Sequence, residues 1–301
     1  MDRHKVVLDT DIGDDIDDAF ALSIILKSKE LNLLGITTVY KNTLLRSKIA
    51  KKELELYGRS DIEVYKGINK PLNQEIIRWP YEELDEDGKI IIRHYFDEMK
   101  TCQVNEKSAV DYLIEVLKAN PNEVIIIAIG PLTNLASVYL KDPNAFLLIK
   151  QIVLMGGQLD GTYPEWNIRV DPEAARLVFN SGVRIKAVGL NVTTKCKVDD
   201  DLLTYLRSLK SSGNKLIVDM LEVWLKDNKR QSTMHDGLAV ATLIDDFCTF
   251  EEFNILVELE GPKRGYTLIV DENTPHASII EMATAVKTND FFAFMKERIK
   301  D

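Results

Sequence analysis

The highest density of reactive side chains lies near the amino terminus, in the stretch Asp9-Thr10-Asp11-Ile12-Gly13-Asp14-Asp15-Ile16-Asp17-Asp18. Six of its ten residues are aspartates, and none is a lysine or an arginine. Carboxylates packed this closely repel one another, and folding raises their pKa values unless a positive charge neutralises them. A hard cation with oxygen ligands, Ca²⁺ or Mg²⁺, is the simplest partner. The stretch therefore predicts a metal site, with a solvated loop that caps a helix as the alternative.

The segments on either side indicate where this acidic stretch lies. Residues 6–8 form an apolar run that is typical of a buried parallel strand, and residues 19–22 begin a helical pattern. Open α/β sheets bind their ligands at the carboxyl ends of the strands. Asp9 and Asp11 alternate at such an end, which the helix-capping alternative does not explain. Gly13 suits a tight turn that lets the carboxylates on either side converge.

Strands and helices alternate along the chain. The pattern predicts strands at residues 6–11, 31–39 and 62–65 with helices at 19–27 and 44–57 between them. This βαβαβ order predicts an α/β fold with a right-handed, doubly wound, mostly parallel sheet flanked by helices. Further strands are predicted at 124–129, 152–155, 185–190, 254–259 and 266–270, the last two antiparallel at an edge. Because no linker or internal repeat is visible, we predict a single domain over residues 1–301.

Composition limits the classes of partner. The chain has 301 residues, a formal net charge of −10 and a sequence pI near 5.1. Such a charge argues against a nucleic-acid partner, which needs a basic face, and no apolar run is long enough to cross a bilayer. The three cysteines are far apart and suit a reducing compartment: Cys102, Cys196 and Cys248. We therefore expect a cytoplasmic protein with a small-molecule substrate.

Several separate motifs, in this order along the chain, resemble those of the inosine–uridine-preferring nucleoside hydrolases. They are the acidic stretch, Gly58-Arg59, Gly130-Pro131-Leu132-Thr133-Asn134-Leu135-Ala136, Met155-Gly156-Gly157, Glu165-Trp166-Asn167-Ile168, Asp171-Pro172-Glu173-Ala174-Ala175 and His235-Asp236. The resemblance implies the nucleoside hydrolase fold with its Rossmann-like core. It also implies Ca²⁺-dependent hydrolysis of the N-glycosidic bond of ribonucleosides in nucleoside salvage, by a homodimer or homotetramer.

The resemblance also implies a set of metal ligands. Asp11 and Asp18 match the ligands in the family's acidic stretch, and Ile129 matches the residue whose main-chain carbonyl binds the ion. Ca²⁺ readily takes main-chain oxygens, so an apolar side chain at position 129 is no obstacle. Alone, the pair His235-Asp236 at a helix start would indicate capping. With an acidic cluster elsewhere in the chain, Asp236 becomes the natural last carboxylate ligand.

Four further residues match positions at which the family binds ribose: Asp17, Asn42, Glu165 and Asn167. A carboxylate beside a carboxamide suits sugar hydroxyls, because the carboxylate accepts hydrogen bonds and the carboxamide both donates and accepts them. In an extended loop Glu165 and Asn167 would face one way and Trp166 the other. A surface loop is the alternative for these residues, and a helix N-terminal turn is the alternative for Asn42.

The first loop departs from the family pattern. Five residues separate Asp11 from the Asp17-Asp18 pair, where the family usually has three, and Ile12 replaces the common Pro. This longer loop leaves the roles of Asp14 and Asp15 open.

Two later positions also depart from the pattern. Lys41 replaces the family's Gly before Asn42, and the chain has Asp160-Gly161-Thr162 where the family supplies another Asn upstream of Glu165. The ribose 5′ end therefore has no predicted partner.

The predicted mechanism is attack by an activated water. The cation would bind the ribose 2′- and 3′-hydroxyls and one water, whose proton Asp11 takes. Attack at C1′ passes through an oxocarbenium-like transition state, whose positive charge carboxylates would stabilise; the candidates are Asp9, Asp14, Asp15 and Glu165. His235, with an ordinary pKa near 6.5, is the candidate general acid for the leaving base, and support of Asp236 is its alternative role.

Two other classes of function are consistent with parts of the sequence. Asp9-Thr10-Asp11 loosely fits the nucleophile loop of a Mg²⁺-dependent phosphatase or phosphotransferase. A catalytically inactive homologue that binds ribose or calcium is the third class. Three tryptophans are candidates for stacking on the base, with packing as the alternative: Trp79, Trp166 and Trp224. The aperiodic region 71–105 is expected to be a solvated loop, with a lid over the site as the alternative.

Overall fold

A single mixed sheet forms the centre of the molecule in the computed structural model, which describes residues 3–73, 84, 88, 91–228 and 230–301. Apolar, β-branched runs form its inner strands, as the sequence pattern predicts. The strands within these residues are β1 (His4–Thr10), β2 (Leu31–Thr38), β3 (Val64–Lys66), β4 (Val124–Ala128), β5 (Gln151–Met155), β6 (Ile185–Val188), β7 (Cys248–Val257), β8 (Thr267–Ile269) and β9 (Ser278–Val286).

Helices connect most of these strands, and several begin at a residue that caps them. Ser108 and Asp171, for example, accept hydrogen bonds from the main chain of the helices that follow. The helices of the described residues are α1 (Asp17–Lys27), α2 (Thr43–Leu56), α3 (Ala109–Ala119), α4 (Thr133–Lys141), α5 (Pro143–Phe146), α6 (Trp166–Val170), α7 (Pro172–Phe179), α8 (Leu190–Thr193), α9 (Asp200–Ser208), α10 (Ser212–Asn228), α11 (His235–Ala241) and α12 (Thr288–Ile299).

The strand order of the sheet is β3-β2-β1-β4-β5-β6-β9-β7-β8. The pairs from β3 to β9 are parallel, whereas β7 is antiparallel to both β9 and β8. The doubly wound, mostly parallel sheet and its antiparallel edge are thus confirmed. The prediction missed β9, which pairs β6 with β7. Its apolar pattern is weak because the strand is only partly covered: Ile279 is 67% exposed.

Both faces of the sheet are covered by helices. Along β1, Val6 and Leu8 pack into one apolar cluster and Val7 packs into a second cluster on the other face. A strand buried on both faces reads as a continuous apolar run. The carboxyl ends of the inner strands therefore remain as the exposed concave edge of the sheet.

No helix among the described residues combines the length and the apolar character that crossing a bilayer requires.

Candidate active site

A cavity of about 460 Å³ opens at the carboxyl ends of β1, β2, β4, β5 and β6. Acidic side chains dominate its lining, and aromatic and cationic side chains join them. The lining residues are Asp11, Asp14, Asp15, Asp17, Asp18, Lys41, Ile91, Arg93, Ile129, Met155, Tyr163, Pro164, Glu165, Trp166, Asn167, Leu190, His235 and Asp236. Of the predicted site residues, the cavity brings together all except Asn42.

Three carboxylates converge closely enough to hold one metal ion. Asp17, Asp18 and Asp236 each offer an oxygen, and these oxygens all lie within 4.8 Å of one another. The first two begin α1 and the third is the second residue of α11, whose main-chain N–H at residue 236 donates to Asp17 Oδ2 at 3.2 Å. Burial, reinforced by repulsion from neighbouring carboxylates, raises all three pKa values well above their usual range. An all-oxygen, anionic donor set of this kind fits a hard divalent cation.

Asp11 and Ile129 lie in the same cavity beside this group. Asp11 is not one of the three converging carboxylates; Asp17, predicted to bind ribose, is the third member. Burial raises the pKa of Asp11 to about 6, although the charge of Arg46 opposes the rise. The carbonyl oxygen of Ile129 accepts a hydrogen bond from Asn167 Nδ2 at 3.1 Å, and the Ile129 side chain is buried in the core.

Asp9 lies beneath the cavity and does not line it. Its Oδ1 accepts hydrogen bonds from Thr37 Oγ1 at 2.5 Å and from Asn134 Nδ2 at 2.7 Å. Burial raises the pKa of Asp9 to about 7. Asn134 also donates to the carbonyl of Thr38 at 3.1 Å and accepts from the N–H of Ile68 at 2.9 Å. Asn134, which follows β4, therefore cross-links the ends of β1 and β2.

Glu165 and Asn167 lie at the start of a helix, so the prediction of an extended loop was wrong. Glu165 caps α6 and accepts from the N–H groups of Asn167 at 2.8 Å, Ile168 at 3.1 Å and Gly157 at 3.2 Å. Burial raises the pKa of Glu165 to about 7 despite these donors. Trp166 does not face away, because the helical turn brings all three side chains of this segment to the cavity.

Asn167 is oriented by two main-chain carbonyls. Its Nδ2 donates to Ile129 and to Met155, each at 3.1 Å. These bonds tie the end of β4 to the end of β5 at the floor of the cavity. They also turn the other end of the carboxamide, Oδ1, away from those two carbonyls.

Asn42 takes the alternative role of a helix cap. Its Oδ1 accepts from the N–H of Leu45 at 3.2 Å at the start of α2. Lys41 lines the cavity in its place. The backbone of Lys41 is left-handed, with φ of 54°, and so is that of Tyr40, with φ of 67°. This turn follows β2 and places Asn42 at the N-cap of α2.

The two aspartates of the longer loop have different partners. Asp14 Oδ2 accepts from Lys41 Nζ and from Arg46 Nη2, each at 2.8 Å. Asp15 Oδ1 accepts a hydrogen bond from the N–H of Ile16 at 2.7 Å, and burial raises the pKa of Asp15. The sequence pattern did not single out Arg46, since an arginine in a polar helix is ordinarily exposed.

His235 begins α11 at the edge of the cavity. Its Nδ1 lies 2.7 Å from Thr193 Oγ1, at the end of α8. Burial, together with the charge of Arg230, lowers the pKa of His235 to about 4. A mostly neutral imidazole at neutral pH has a smaller share of the acid form that proton donation needs.

Aromatic side chains stand at the cavity mouth. Tyr163 is 48% exposed and Trp166 is 38% exposed, and both line the cavity. Trp224 packs in the core instead. Trp79, the third candidate for base stacking, lies outside the described residues, as do the other residues of 74–83, 85–87 and 89–90 in the region 71–105 that was expected to be a solvated loop or a lid. Of the described residues of that region, Ile91 and Arg93 line the cavity.

Comparison with known proteins connects this cavity to a family. The family model described as inosine-uridine preferring nucleoside hydrolase matches residues 6–293. The chain is 35% identical over 280 residues to uridine nucleosidase 1 of Arabidopsis thaliana, which covers 89% of this chain and 82% of the relative. It is 33% identical over 276 residues to the non-specific ribonucleoside hydrolase RihC of Salmonella newport, covering 88% of this chain and 87% of the relative.

Solved structures show the same fold. A plant nucleoside hydrolase superposes with a TM-score of 0.86 at 27% identity, over 99% of both chains. A purine-preferring ribonucleoside hydrolase from Gardnerella vaginalis superposes with a TM-score of 0.83 at 27% identity, over 98% of both chains.

Proposed function

Because the chain belongs to the inosine-uridine preferring nucleoside hydrolase family, we propose that it is a Ca²⁺-dependent enzyme that hydrolyses ribonucleosides to ribose and free base. The observation that carries the proposal is the convergence of Asp17, Asp18 and Asp236 within 4.8 Å, in one cavity with Asp11. The relatives include uridine nucleosidases and a purine-preferring hydrolase, so uridine and inosine are the first substrates to test.

The ion would be held by carboxylates from the loop after β1 and from the first turns of α1 and α11. We propose Asp11, Asp18 and Asp236 as ligands with the carbonyl of Ile129, and Asp17 divides its oxygens between the ion and the sugar. When bound, Ca²⁺ supplies Lewis acidity for water activation and contacts for sugar hydroxyls. The raised pKa values of the three converging carboxylates support this assignment, since a divalent charge would relieve their repulsion.

The reaction replaces the bond between C1′ and the base nitrogen by a bond between C1′ and a water oxygen. Asp11 takes the proton of the attacking water as the general base, from its place in the cavity beside the converging carboxylates. The electron pair of the broken bond stays on the base, which then gains a proton. His235 is the proposed donor, with Thr193 orienting its ring.

The sugar would be held from both sides of the cavity. Asp17 approaches from α1, while Glu165 and Asn167 approach from the start of α6. Because Asn167 Nδ2 donates hydrogen bonds to two main-chain carbonyls, Asn167 Oδ1 is the atom that would accept a hydrogen bond from a sugar hydroxyl. Trp166 and Tyr163 at the mouth would contact the base by stacking. Asp14, Asp15 and Glu165 would stabilise the positive charge of the transition state.

The phosphatase alternative fits the cavity less well. That mechanism needs Asp9 as a nucleophile, and Asp9 does not line the cavity but is bound by Thr37 and Asn134. We also propose that the enzyme is a homodimer or homotetramer that acts in nucleoside salvage in the cytoplasm. Mass measurement in solution would test the assembly.

The decisive assay is a panel of purine and pyrimidine nucleosides in which free base and reducing sugar are both followed. We expect base and ribose to be released in equal amounts, and we expect no phosphate to be released from sugar phosphates. Release of phosphate instead would support the phosphatase. Ca²⁺ binding without release of any base would identify an inactive homologue.

A further inference from the structure

A wholly buried arginine lies under the longer acidic loop. Arg46, in α2, is 0% exposed and directs its guanidinium at two neighbouring loops. Its Nη1 donates to the carbonyl of Ile12 at 2.8 Å and also to that of Asp11. Its Nε donates to the carbonyl of Tyr40 at 2.8 Å, and its Nη2 donates to Asp14 Oδ2 at 2.8 Å. One side chain therefore joins the loop after β1 to the turn after β2.

Asp14 is the counter-ion that this buried charge requires. Burial by itself raises the pKa of Asp14, but the charges of Arg46 and Lys41 outweigh it and hold that pKa below its usual value. The carboxylate is thus ionised at neutral pH. Asp14 belongs to the five residues between Asp11 and Asp17 where the resembling family usually has three. The longer loop therefore contains the group that neutralises Arg46.

The same guanidinium holds a turn that is unfavourable without support. Tyr40 and Lys41 both have positive φ angles, a conformation that side chains with a Cβ rarely adopt. Left-handed residues of this kind persist where the surrounding structure determines them. The hydrogen bond from Arg46 Nε to the carbonyl of Tyr40, and the hydrogen bond from Lys41 Nζ to Asp14 Oδ2, supply that support.

We propose that Arg46 is a positioning residue for nucleoside hydrolysis, which fixes Asp11 through the main chain of the loop and through Asp14. The inference rests on the proposed function, because it takes Asp11 as the group that accepts the water's proton. Asp18 and Asp236 stand on the first turns of α1 and α11, and those helices hold them. Asp11 is only one of the proposed ligands, so loosening the contacts of Arg46 should lower turnover much more than it lowers Ca²⁺ affinity.

The test compares Arg46→Lys with a matched control, Arg176→Lys. Arg176 also donates two guanidinium bonds to a main-chain carbonyl, that of Val257, but lies on α7 and does not line the cavity. Lysine keeps the charge and loses the fork geometry. We expect kcat on uridine to fall about 10²-fold for Arg46→Lys, as a displaced catalytic group implies. Calorimetric Ca²⁺ affinity should fall by no more than roughly tenfold in Arg46→Lys, because the other proposed ligands keep their positions, and it should not change in the control.

Hydrogen–deuterium exchange supplies a readout that does not need turnover. In Arg46→Lys, amides of residues 10–16 and 39–42 should exchange faster, and the rest of the chain should match wild type. Asp14→Asn is the second variant, because the Asp14 side chain is 30% exposed and asparagine keeps its size while removing its charge. Its kcat should fall about tenfold, and adding it to Arg46→Lys should cost little more, because both act through one contact.

Each outcome decides the matter. Equal kcat for Arg46→Lys and Arg176→Lys would overturn the inference, and so would faster exchange throughout the chain, which marks a general structural role. Unchanged exchange in residues 10–16 in both Arg46→Lys and Asp14→Asn would overturn it even for an enzyme that releases no base. A wild-type protein that releases no base contradicts the proposed function, and the exchange data then decide separately whether Arg46 holds the loop.

Discussion

The acidic loop after β1 and the turn that begins α6 hold their carboxylates by different means. In the loop, two cations bind one carboxylate oxygen of Asp14: Lys41 and Arg46, each at 2.8 Å. In the turn, three main-chain N–H groups surround the carboxylate of Glu165, at 2.8 to 3.2 Å. Both carboxylates line the same cavity.

The difference shows in the charge of each group. Full charges outweigh the cost of burial at Asp14, whose pKa is lowered. Main-chain dipoles do not outweigh it at Glu165, whose pKa rises to about 7. Asp14 is therefore ionised at neutral pH, whereas the charge of Glu165 depends on what binds beside it. Ion pairs fix the charge of Asp14 on the acidic wall, which the loop after β1 forms, and helix N–H groups fix only the orientation of Glu165 on the opposite wall, which the start of α6 forms.

The largest expected effect depends on both walls together. If Asp17 and Asn167 bind the sugar from opposite sides, a 2′-deoxynucleoside leaves buried polar groups without partners. A site built to bind a hydroxyl rejects the analogue that lacks it by roughly 10⁴-fold. The ratio of kcat/KM for uridine to kcat/KM for 2′-deoxyuridine measures this effect. Similar values for the two substrates would show that neither wall binds the 2′-hydroxyl.

The next effect belongs to the acidic wall alone. Asp18→Asn removes a charged ligand from the converging group, so Ca²⁺ affinity should drop and kcat should fall by about 10³-fold, several kcal/mol of lost metal chemistry. Calorimetry and nucleoside turnover provide the measurements. Asp111→Asn, at an exposed acid on α3, is the control and should match wild type. Unchanged Ca²⁺ affinity in Asp18→Asn would show that Asp18 is not a ligand of the ion.

The third effect separates the departure of the base from the attack of water. His235→Ala should lower kcat on uridine by at least about 10²-fold if His235 is the general acid. It should change little on p-nitrophenyl riboside, because nitrophenolate needs no proton to leave. Thr193→Val, which removes the partner of Nδ1, should give a smaller loss with the same selectivity. Equal losses on both substrates would instead make His235 a support for Asp236.

The smallest effect concerns stability and tests the comparison of the two walls directly. The folded-state pKa of Glu165, about 7, lies above its ordinary value of 4.5, so the folded protein binds this proton more tightly. In metal-free protein the free energy of unfolding should therefore fall as pH rises from about 4.5 to about 7. The shift corresponds to about 3 kcal/mol. Glu165→Gln should make this fall smaller by the contribution of Glu165 when urea unfolding is compared at pH 5 and pH 8, while the other buried carboxylates keep theirs.

Asp14 should show the opposite sign. Its folded-state pKa is lowered, so its contribution is present above the ordinary value of 3.8 and is lost as pH falls through the lowered pKa. Asp14→Asn should therefore destabilise the protein at pH 7 and less so in acid. The same pH trend in Glu165→Gln and Asp14→Asn would break the proposed distinction between the two walls.

Local patterns in the sequence were sufficient to predict the parallel sheet and the place of the acidic stretch at the carboxyl end of β1. Continuous apolar runs identified the inner strands, and the density of aspartates after β1 identified the site. The partly covered strand β9 was missed because its apolar residues do not form such a run. Short-range patterns report burial on a regular element and do not report which distant segment provides it.

The unpredicted parts of the site depend on contacts between distant segments. Arg46 is buried because α2 packs under a loop that lies more than thirty residues earlier in the chain, and nothing in its own helix indicates this. Asn42 caps α2 and does not line the cavity, and Trp166 faces the cavity because a short helix replaced the extended loop that was expected there. Side-chain direction at such positions follows from one or two backbone angles, which spacing alone does not supply.

Metal-dependent release of base is the central claim, and one titration tests it most directly. Protein freed of metal with a chelator should release no base from uridine, and added Ca²⁺ should restore release of base and ribose in equal amounts. Restoration should saturate at one ion per chain, and Asp18→Asn should not recover under the same conditions. Full activity in protein shown to be metal-free by elemental analysis would contradict the account.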